Sequence, residues 1–223
     1  MSKKILLIVE GDSDEVKFLR GLFKKCNKKT EYKIYSYRTN IHVLAQEIFN
    51  NYNDFDEGYI DVKLILASLE NDKKRKWLLY ENYSDIYMIF DFDPQHDHPH
   101  FDTIRRMISY FSDSTLQGKL FLNYPMMQSF KHFDQLPCLS FENLEVTLDE
   151  IKKYKEMVGK VSGFTDLTKY NYITYYSIAV HHLKKANKFL NGVYEIPNID
   201  DYWELDYCKI YDFELVSFTE RKT

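Results

Sequence analysis

The sequence predicts an α/β fold in which helices cover a mostly parallel sheet, followed by a helical C-terminal extension. Short apolar runs alternate with segments whose apolar residues recur at helical spacing, and this alternation is typical of a parallel sheet. The pattern changes near residue 150, where two helical segments follow one another. Within 223 residues we therefore predict an α/β domain over 1–149 and a mainly helical extension over 150–223 packed on it.

The first quarter of the chain predicts two strands, each followed by a helix. We predict a strand over 4–9, a helix over 13–26 with Ser13 as its N-cap, a strand over 32–37 and a helix over 41–49. The stretch 62–69 is apolar and short, so it fits either a strand or a buried helix.

The next part of the chain continues the alternation. We predict a strand over 85–90, a helix over 101–111, a strand over 118–125 and a short helix after Pro125. The two helical segments of the extension span residues 150–192, and the second is expected to break at Asn191-Gly192. The pattern after Val193 is acidic and aromatic and predicts no definite element.

Composition narrows the class of protein. The chain has no run of 18 or more apolar residues and no signal-peptide core at its start, so we expect a cytoplasmic protein that does not span a membrane. Its three cysteines lie far apart, which predicts neither a disulfide framework nor a zinc site.

The net charge of −4 is unevenly distributed along the chain. Residues 1–40 hold ten Lys and Arg against five acids, residues 151–192 hold eight against two, and residues 41–118 hold seven against fourteen. Basic regions that flank an acidic centre suit a protein that holds metal and binds nucleic acid, although lysines on helices are also often only solvated.

Acidic residues follow two of the predicted strands. Glu10 and Asp14 follow the first strand, and Asp91 and Asp93 follow the strand over 85–90. If these strands are neighbours in a parallel sheet, the four carboxylates converge at its carboxyl edge, and their mutual repulsion requires a cation. Oxygen ligands without His or Cys favour Mg²⁺ or Mn²⁺, so the sequence predicts a site for phosphoryl-transfer chemistry.

The motifs "IVEGDSDEVKF" and "IFDFD" resemble the TOPRIM domain of topoisomerases, primases, ribosomal-RNA maturases and OLD-family nucleases. The Glu-Gly-x-x-Asp form and the segment "LFLNYPMMQSF" are most similar to OLD-type nucleases and to the small TOPRIM effectors of antiphage systems such as PARIS. The resemblance covers residues 4–133 and does not extend to 150–223.

This resemblance implies a role for each acid. Glu10 would be a metal ligand and general acid or base, Asp91 and Asp93 metal ligands, and Asp14 a ligand of a second metal. The sequence departs from the family pattern at Gln128, where a glutamate is expected, and Glu142 and Glu145 are candidate substitutes. The lysine that OLD-type nucleases use is not placed, and the candidates are Lys131, Lys155 and Lys160.

The resulting hypothesis is a metal-dependent endonuclease that cuts DNA or structured RNA such as tRNA, as the effector of an antiphage system. The chain has no Walker A sequence, so the resemblance implies a separate ATPase partner, and a homodimer is left open. The lysines predicted to bind nucleic acid are Lys155, Lys160, Lys184, Lys185 and Lys188. The alternatives are a non-cutting regulatory subunit docked to an ATPase and a housekeeping RNA maturation nuclease.

Two other groups of residues invite a functional interpretation. A loop with His96, His98 and His100 follows the second acidic motif and fits either a metal site or, more simply, a solvated loop. Four tyrosines between lysines of the extension fit either base stacking or helix packing: Tyr170, Tyr172, Tyr175 and Tyr176.

Overall fold

The computed structural model describes residues 3–52, 55 and 59–220. Its sheet has the order β2-β1-β3-β5-β4, with parallel pairs throughout except for the antiparallel pair of β4 and β5. The strands are β1 (Lys4–Val9), β2 (Glu31–Ser36), β3 (Asp85–Asp91), β4 (Ser112–Asp113) and β5 (Gly118–Asn123). The predicted α/β class with a mostly parallel sheet is confirmed.

Helices lie along both faces of this sheet and continue into the C-terminal region. They are α1 (Asp14–Cys26), α2 (Ile41–Asn51), α3 (Val62–Leu69), α4 (Lys73–Tyr80), α5 (Phe101–Tyr110), α6 (Leu148–Ile151), α7 (Tyr154–Val161), α8 (Tyr172–Asn191), α9 (Ile199–Trp203) and α10 (Tyr207–Glu220). In the described part of the chain, none of these helices is long and apolar enough to cross a membrane.

The central strand β1 shows why helices cover both faces. Because side chains alternate along a strand, Ile5, Leu7 and Val9 face one side, where they pack with residues of α1. Leu6 and Ile8 face the other side, in a cluster with residues of α2, α3 and α5. A strand buried on both faces reads as an uninterrupted apolar run, as β1 does.

The structure resolves one open alternative and corrects two local predictions. The ambiguous stretch Val62–Leu69 is a helix, and the side chain of Asp61 caps it by accepting hydrogen bonds from the backbone N–H of Lys63 and Leu64. The side chain of Ser13, predicted to cap α1, makes no capping hydrogen bond. The short helix expected after Pro125 is a 3₁₀ turn over Met127–Lys131.

The C-terminal helices pack on the sheet domain. Helix α8 ends at Asn191, and its C-cap Gly192 has a φ of 79°, a left-handed conformation that favours glycine, so the predicted break is confirmed. Helix α10, which the sequence did not predict, lies on α5, where Tyr211 donates a hydrogen bond to the Phe101 carbonyl at 2.9 Å. The predicted helical extension is confirmed, and the boundary at 149/150 stays a prediction.

Candidate active site

The two strands that end in acids are neighbours. In the parallel register of β1 and β3, Val9 lies opposite Ile89, so the residues that follow them in each strand lie at the same edge of the sheet. The backbone N–H of Asp91 donates a hydrogen bond to Oε2 of Glu10 at 3.2 Å. The carboxylates of Glu10 and Asp91 therefore belong to one cluster.

Asp91 is oriented by the next strand and the loop that follows it. Its Oδ1 accepts a hydrogen bond from Nδ2 of Asn123 at 3.0 Å and one from the backbone N–H of Met127 at 2.7 Å. Asn123 lies directly opposite Asp91 in the register of β3 and β5. The motif "LFLNYPMMQSF" contains Asn123, but the sequence alone predicted no role for this residue.

Asp93 sits in a sharply turned loop. Its φ of 47° is in the left-handed region, which Asp tolerates better than most residues. The side chain accepts a hydrogen bond from Nε2 of Gln95 at 3.3 Å, and the backbone N–H of Asp93 donates to the Pro125 carbonyl at 3.3 Å. The loop after β5 therefore contacts both aspartates of the second motif.

A buried histidine that sequence reasoning missed supports this loop. His42 is fully buried, and its Nδ1 accepts a hydrogen bond from the backbone N–H of His100 at 3.2 Å. Its Nε2 therefore carries the proton and donates to the Asp93 carbonyl at 3.1 Å. Burial lowers the pKa of His42 to about 4, so the ring is neutral.

The loop with alternating histidines packs against this support. The rings of His42 and His96 stack with their centroids 4.6 Å apart. His98 lies exposed beside them, and its backbone N–H donates to Nδ1 of His96 at 3.2 Å. A metal-binding role for this loop stays a prediction, and the contacts seen here are structural.

Burial, together with the neighbouring acids, raises the pKa values of the carboxylates in the cluster. Burial, reinforced by the charges of Asp91 and Asp93, raises the pKa of Glu10 to about 9. Burial and the charge of Asp93 raise the pKa of Asp91 to about 7, against the hydrogen bonds from Asn123 and Met127. Burial also raises the pKa of Asp93. At neutral pH the three groups cannot all ionise unless a cation joins them.

Glu15 is a further acid that sequence reasoning did not assign. Its charge contributes to the raised pKa of both Glu10 and Asp91. A β-carbon on Gly11 would lie 2.6 Å from the Glu15 carboxylate, so the glycine allows this close approach. The sequence signal was present, since Glu15 lies within the acidic turn after β1.

Asp14 lies against a lysine instead. Its Oδ2 accepts a hydrogen bond from Nζ of Lys131 at 2.6 Å, and the side chains of Lys131 and Asp14 are only 11% and 30% exposed. The ammonium group of Lys131 lowers the pKa of Asp14, with smaller contributions from Lys155 and Lys17. The assignment of Asp14 to a second metal stays a prediction, and its carboxylate is paired with one lysine and influenced by the charges of two more.

The geometry separates the three lysines that the resemblance left unranked. Lys131 contacts Asp14 directly, and Lys155 acts on Asp14 through its charge. Lys160 pairs with Glu156 at 2.5 Å on an exposed face of α7. Gln128 lies in the same 3₁₀ turn as Lys131 and follows Met127, which binds Asp91.

The remaining lysines predicted to bind nucleic acid have partners within the protein. Lys188 binds Glu142 at 3.0 Å, Lys185 donates to the Leu144 carbonyl, and Lys184 lies over the ring of Tyr194. Glu142 thus pairs with a lysine of α8, and its role as a substitute at the position of Gln128 stays a prediction. Their role in binding nucleic acid stays a prediction.

The four tyrosines of the extension divide into two pairs. Tyr170 and Tyr175 are buried, and they pack with Phe18 and Phe130. Tyr172 and Tyr176 are exposed, and their rings are parallel within 15°. Helix packing therefore explains two of these tyrosines, and the other two remain open to a ligand.

The donor set suits a hard divalent cation. Glu10, Asp91 and Asp93 each use one carboxylate oxygen for hydrogen bonds within the protein, and among the described residues the second oxygen accepts none. No three His, Cys, Asp or Glu side chains of that part converge closely enough to form a complete metal site. Mg²⁺ commonly binds through one or two carboxylates and keeps several waters, so an open site of this kind fits it.

Comparison of the chain with protein-family models, with curated proteins and with solved structures found no match.

Proposed function

We propose that the protein is a metal-dependent nuclease that hydrolyses phosphodiester bonds of DNA or structured RNA such as tRNA. One observation carries the proposal: the partly buried carboxylates of Glu10, Asp91 and Asp93 lie near one another at the carboxyl edge of a parallel sheet, with the pKa of Glu10 raised to about 9 and that of Asp91 to about 7. A cluster under such repulsion binds either protons or a cation. The TOPRIM resemblance of the two acidic motifs supports the same reading.

Glu10, Asp91 and Asp93 would hold Mg²⁺ or Mn²⁺ through their unbonded oxygens. The ion would supply positive charge against the scissile phosphate and favour ionisation of an attacking water. Asn123 and Met127 fix the orientation of Asp91, and His42 fixes the backbone at Asp93. Glu10 has the free oxygen needed to take up or release a proton beside the reacting phosphate.

The cations beside Asp14 provide a complementary surface for the substrate. Lys17, Lys131 and Lys155 all lower the pKa of this carboxylate, so their charges lie close to Asp14, four residues after Glu10 in the chain. A phosphate of the nucleic-acid backbone that approaches the metal would meet these ammonium groups. In this proposal the carboxylates bind the metal, and the lysines beside Asp14 bind the phosphate backbone of the substrate.

A non-cutting regulatory subunit is the second candidate. It is favoured by the ion pair of Asp14 with Lys131, which occupies the predicted ligand of a second metal. Docking to an ATPase partner, membership of an antiphage system and a homodimer rest on the resemblance alone. A housekeeping RNA maturation nuclease would use the same chemistry.

The test is cleavage of total tRNA, plasmid and single-stranded DNA by the purified protein in Mg²⁺, Mn²⁺ or EDTA. We expect cleavage that needs the metal and falls at least about 100-fold in Glu10→Gln and in Asp91→Asn. The exposed variant Glu156→Gln is the matched control and should cut normally. Cleavage that persists in both active-site variants would overturn the proposal. Metal binding without cleavage would favour the regulatory subunit.

A further inference from the structure

A large cavity lies between the C-terminal helices and β5. Its volume is about 760 Å³, and its walls come from α8, α10, β5 and the segment after β5. Leu120, Tyr154 and Ile178 line it and are nearly inaccessible to solvent, so the cavity reaches into the hydrophobic core. Protein interiors are normally close-packed, whereas small-molecule sites occupy about 300–1,000 Å³.

Small side chains on the two helices leave this space open. Ala179 and Ala186 line it from α8, and Ser217 lines it from α10. At the rim the rings of Phe189 and Phe213 stack with their centroids 4.2 Å apart. These small side chains therefore leave a gap where the side chains of two packed helices would normally interdigitate.

The charges of the wall nearly balance, which argues against a strongly charged occupant. Three glutamates, Glu142, Glu145 and Glu214, stand against two lysines, Lys185 and Lys188. Lys188 is paired with Glu142 at 3.0 Å. Lys185 lies over the ring of Phe141, 5.1 Å from its centroid.

One polar group of the wall lacks a partner. Within the part of the chain that the structure describes, Nε2 of His182 is buried and makes no hydrogen bond. Burial lowers the pKa of His182 to about 4, so the ring is neutral and one of its nitrogens can accept a hydrogen bond. A buried polar atom without a partner is costly, and a ligand can remove that cost.

The cavity also touches the segment that holds the acidic cluster. Asn123, Ser129 and Phe130 line it, and they flank Met127 in the chain. Asn123 and Met127 are the two residues that donate hydrogen bonds to Asp91. An occupant would therefore restrain the segment on which the position of Asp91 depends.

We propose that this cavity binds an uncharged, largely apolar small molecule that donates a hydrogen bond to His182. Bound there, the molecule packs between α8 and α10 and restrains the segment over residues 123–130. The binding itself does not depend on the nuclease proposal, so the two can fail separately.

Binding is tested with two fluorescent probes, N-phenyl-1-naphthylamine, which has one N–H donor, and 1-phenylnaphthalene, which has none. We expect saturable binding of the amine, weakened at least about tenfold in Ala186→Trp, whose indole fills the cavity. Ile173→Trp is the matched control, since it adds the same ring at an exposed position of α8, and it should bind like the wild type. Ser217→Phe fills the space from α10 and serves if Ala186→Trp does not fold, as judged by circular dichroism.

The role of His182 is tested by comparing the probes. The wild type should prefer the amine to the hydrocarbon, and His182→Phe should abolish that preference. Bound amine should also slow backbone amide exchange over residues 123–130. Non-saturable binding, or equal affinity in the wild type and both filled variants, overturns the site. An unchanged probe preference in His182→Phe overturns the assigned donor contact.

Discussion

The backbone N–H of Asp91 donates a hydrogen bond to the carboxylate of Glu10 at 3.2 Å, across the parallel strands β1 and β3. These two residues stand 81 positions apart in the chain, and the sheet register brings them together. The bond uses one oxygen of Glu10. Two partly buried carboxylates are therefore held near each other, and because burial and their mutual charge raise their pKa values, the folded state favours binding protons or a cation there.

Stability without divalent cations should fall as the pH rises. The pKa of Glu10 is raised from 4.5 to about 9 and that of Asp91 from 3.8 to about 7. Between these limits the folded state binds more protons than the unfolded state, so the free energy of unfolding decreases with pH. We expect a loss of at least about 1.4 kcal/mol between pH 5 and pH 8, the equivalent of one pKa unit.

Urea unfolding in EDTA at both pH values measures this loss. Glu10→Gln should reduce the pH dependence, because it removes the group with the largest shift. Millimolar Mg²⁺ or Mn²⁺ should restore stability at pH 8 in the wild type. A wild type that is equally stable at both pH values in EDTA would contradict the repulsion inferred for the cluster.

Asn123→Ala should weaken both folding and cleavage. It removes the Nδ2 donor that lies 3.0 Å from Oδ1 of Asp91 and leaves the carboxylate with only the Met127 N–H. Loss of a hydrogen bond to a buried charged group costs about 1–3 kcal/mol. We expect that loss in urea unfolding, with the apparent affinity for Mn²⁺ also reduced.

Asn50→Ala is the control for Asn123→Ala, since the Asn50 side chain accepts an exposed hydrogen bond from Gln46. It should change stability by less than about 0.5 kcal/mol. If both variants bind Mn²⁺ as the wild type does, Asn123 does not orient Asp91.

Lys131→Met should destabilise the protein through the loss of one ion pair. The pair with Asp14 measures 2.6 Å and is largely shielded from water, so its loss should cost about 1–2 kcal/mol after allowance for the partial exposure of Asp14. Because folding lowers the pKa of Asp14, the pair stabilises the protein when the pH lies above the pKa of Asp14 in the unfolded chain. This stabilisation is lost as the pH falls through the lower pKa of Asp14 in the folded protein. The penalty of Lys131→Met should therefore shrink in acid.

A double-mutant cycle isolates this pair. Adding Asp14→Asn to Lys131→Met should recover part of the lost stability, because no unpaired carboxylate remains. Lys160→Met is the control, since its pair with Glu156 is exposed on both sides and contributes little. Strictly additive penalties for Lys131 and Asp14 would mean that the contact does not stabilise the fold.

The sequence was informative where apolar runs and acidic turns coincide. The runs over 4–9 and 85–90 are short and apolar, each leads into an acidic turn, and they predict strands whose ends carry Glu10 and Asp91. The stretch Val62–Leu69 is equally apolar, and only its tertiary setting and the cap from Asp61 make it a helix.

Contacts between distant parts of the chain could not be predicted in this way. Lys131 meets Asp14 across 117 positions and His42 meets Asp93 across 51, and neither pair shares an element or a motif. Such pairs depend on strand order and on how the loop after β5 folds back. Periodicity and motif spacing carry no information about them, so Lys131 remained one of three candidates and His42 received no role.

His42→Phe should lower both stability and metal affinity. The aromatic ring keeps most of the buried volume, but it loses the bond to the Asp93 carbonyl at 3.1 Å and the bond from His100 at 3.2 Å. The His100 N–H is left without its partner, while the Asp93 carbonyl keeps the bond from the His96 N–H, so we expect a loss of about 1–3 kcal/mol. Asp93, held at a φ of 47°, should then move more freely and bind Mn²⁺ several-fold more weakly.

Urea unfolding and Mn²⁺ titration by electron paramagnetic resonance measure both effects, with the exposed variant His98→Phe as the control. Normal Mn²⁺ affinity in a destabilised His42→Phe would limit this histidine to a structural role and would separate the placement of Asp93 from metal binding.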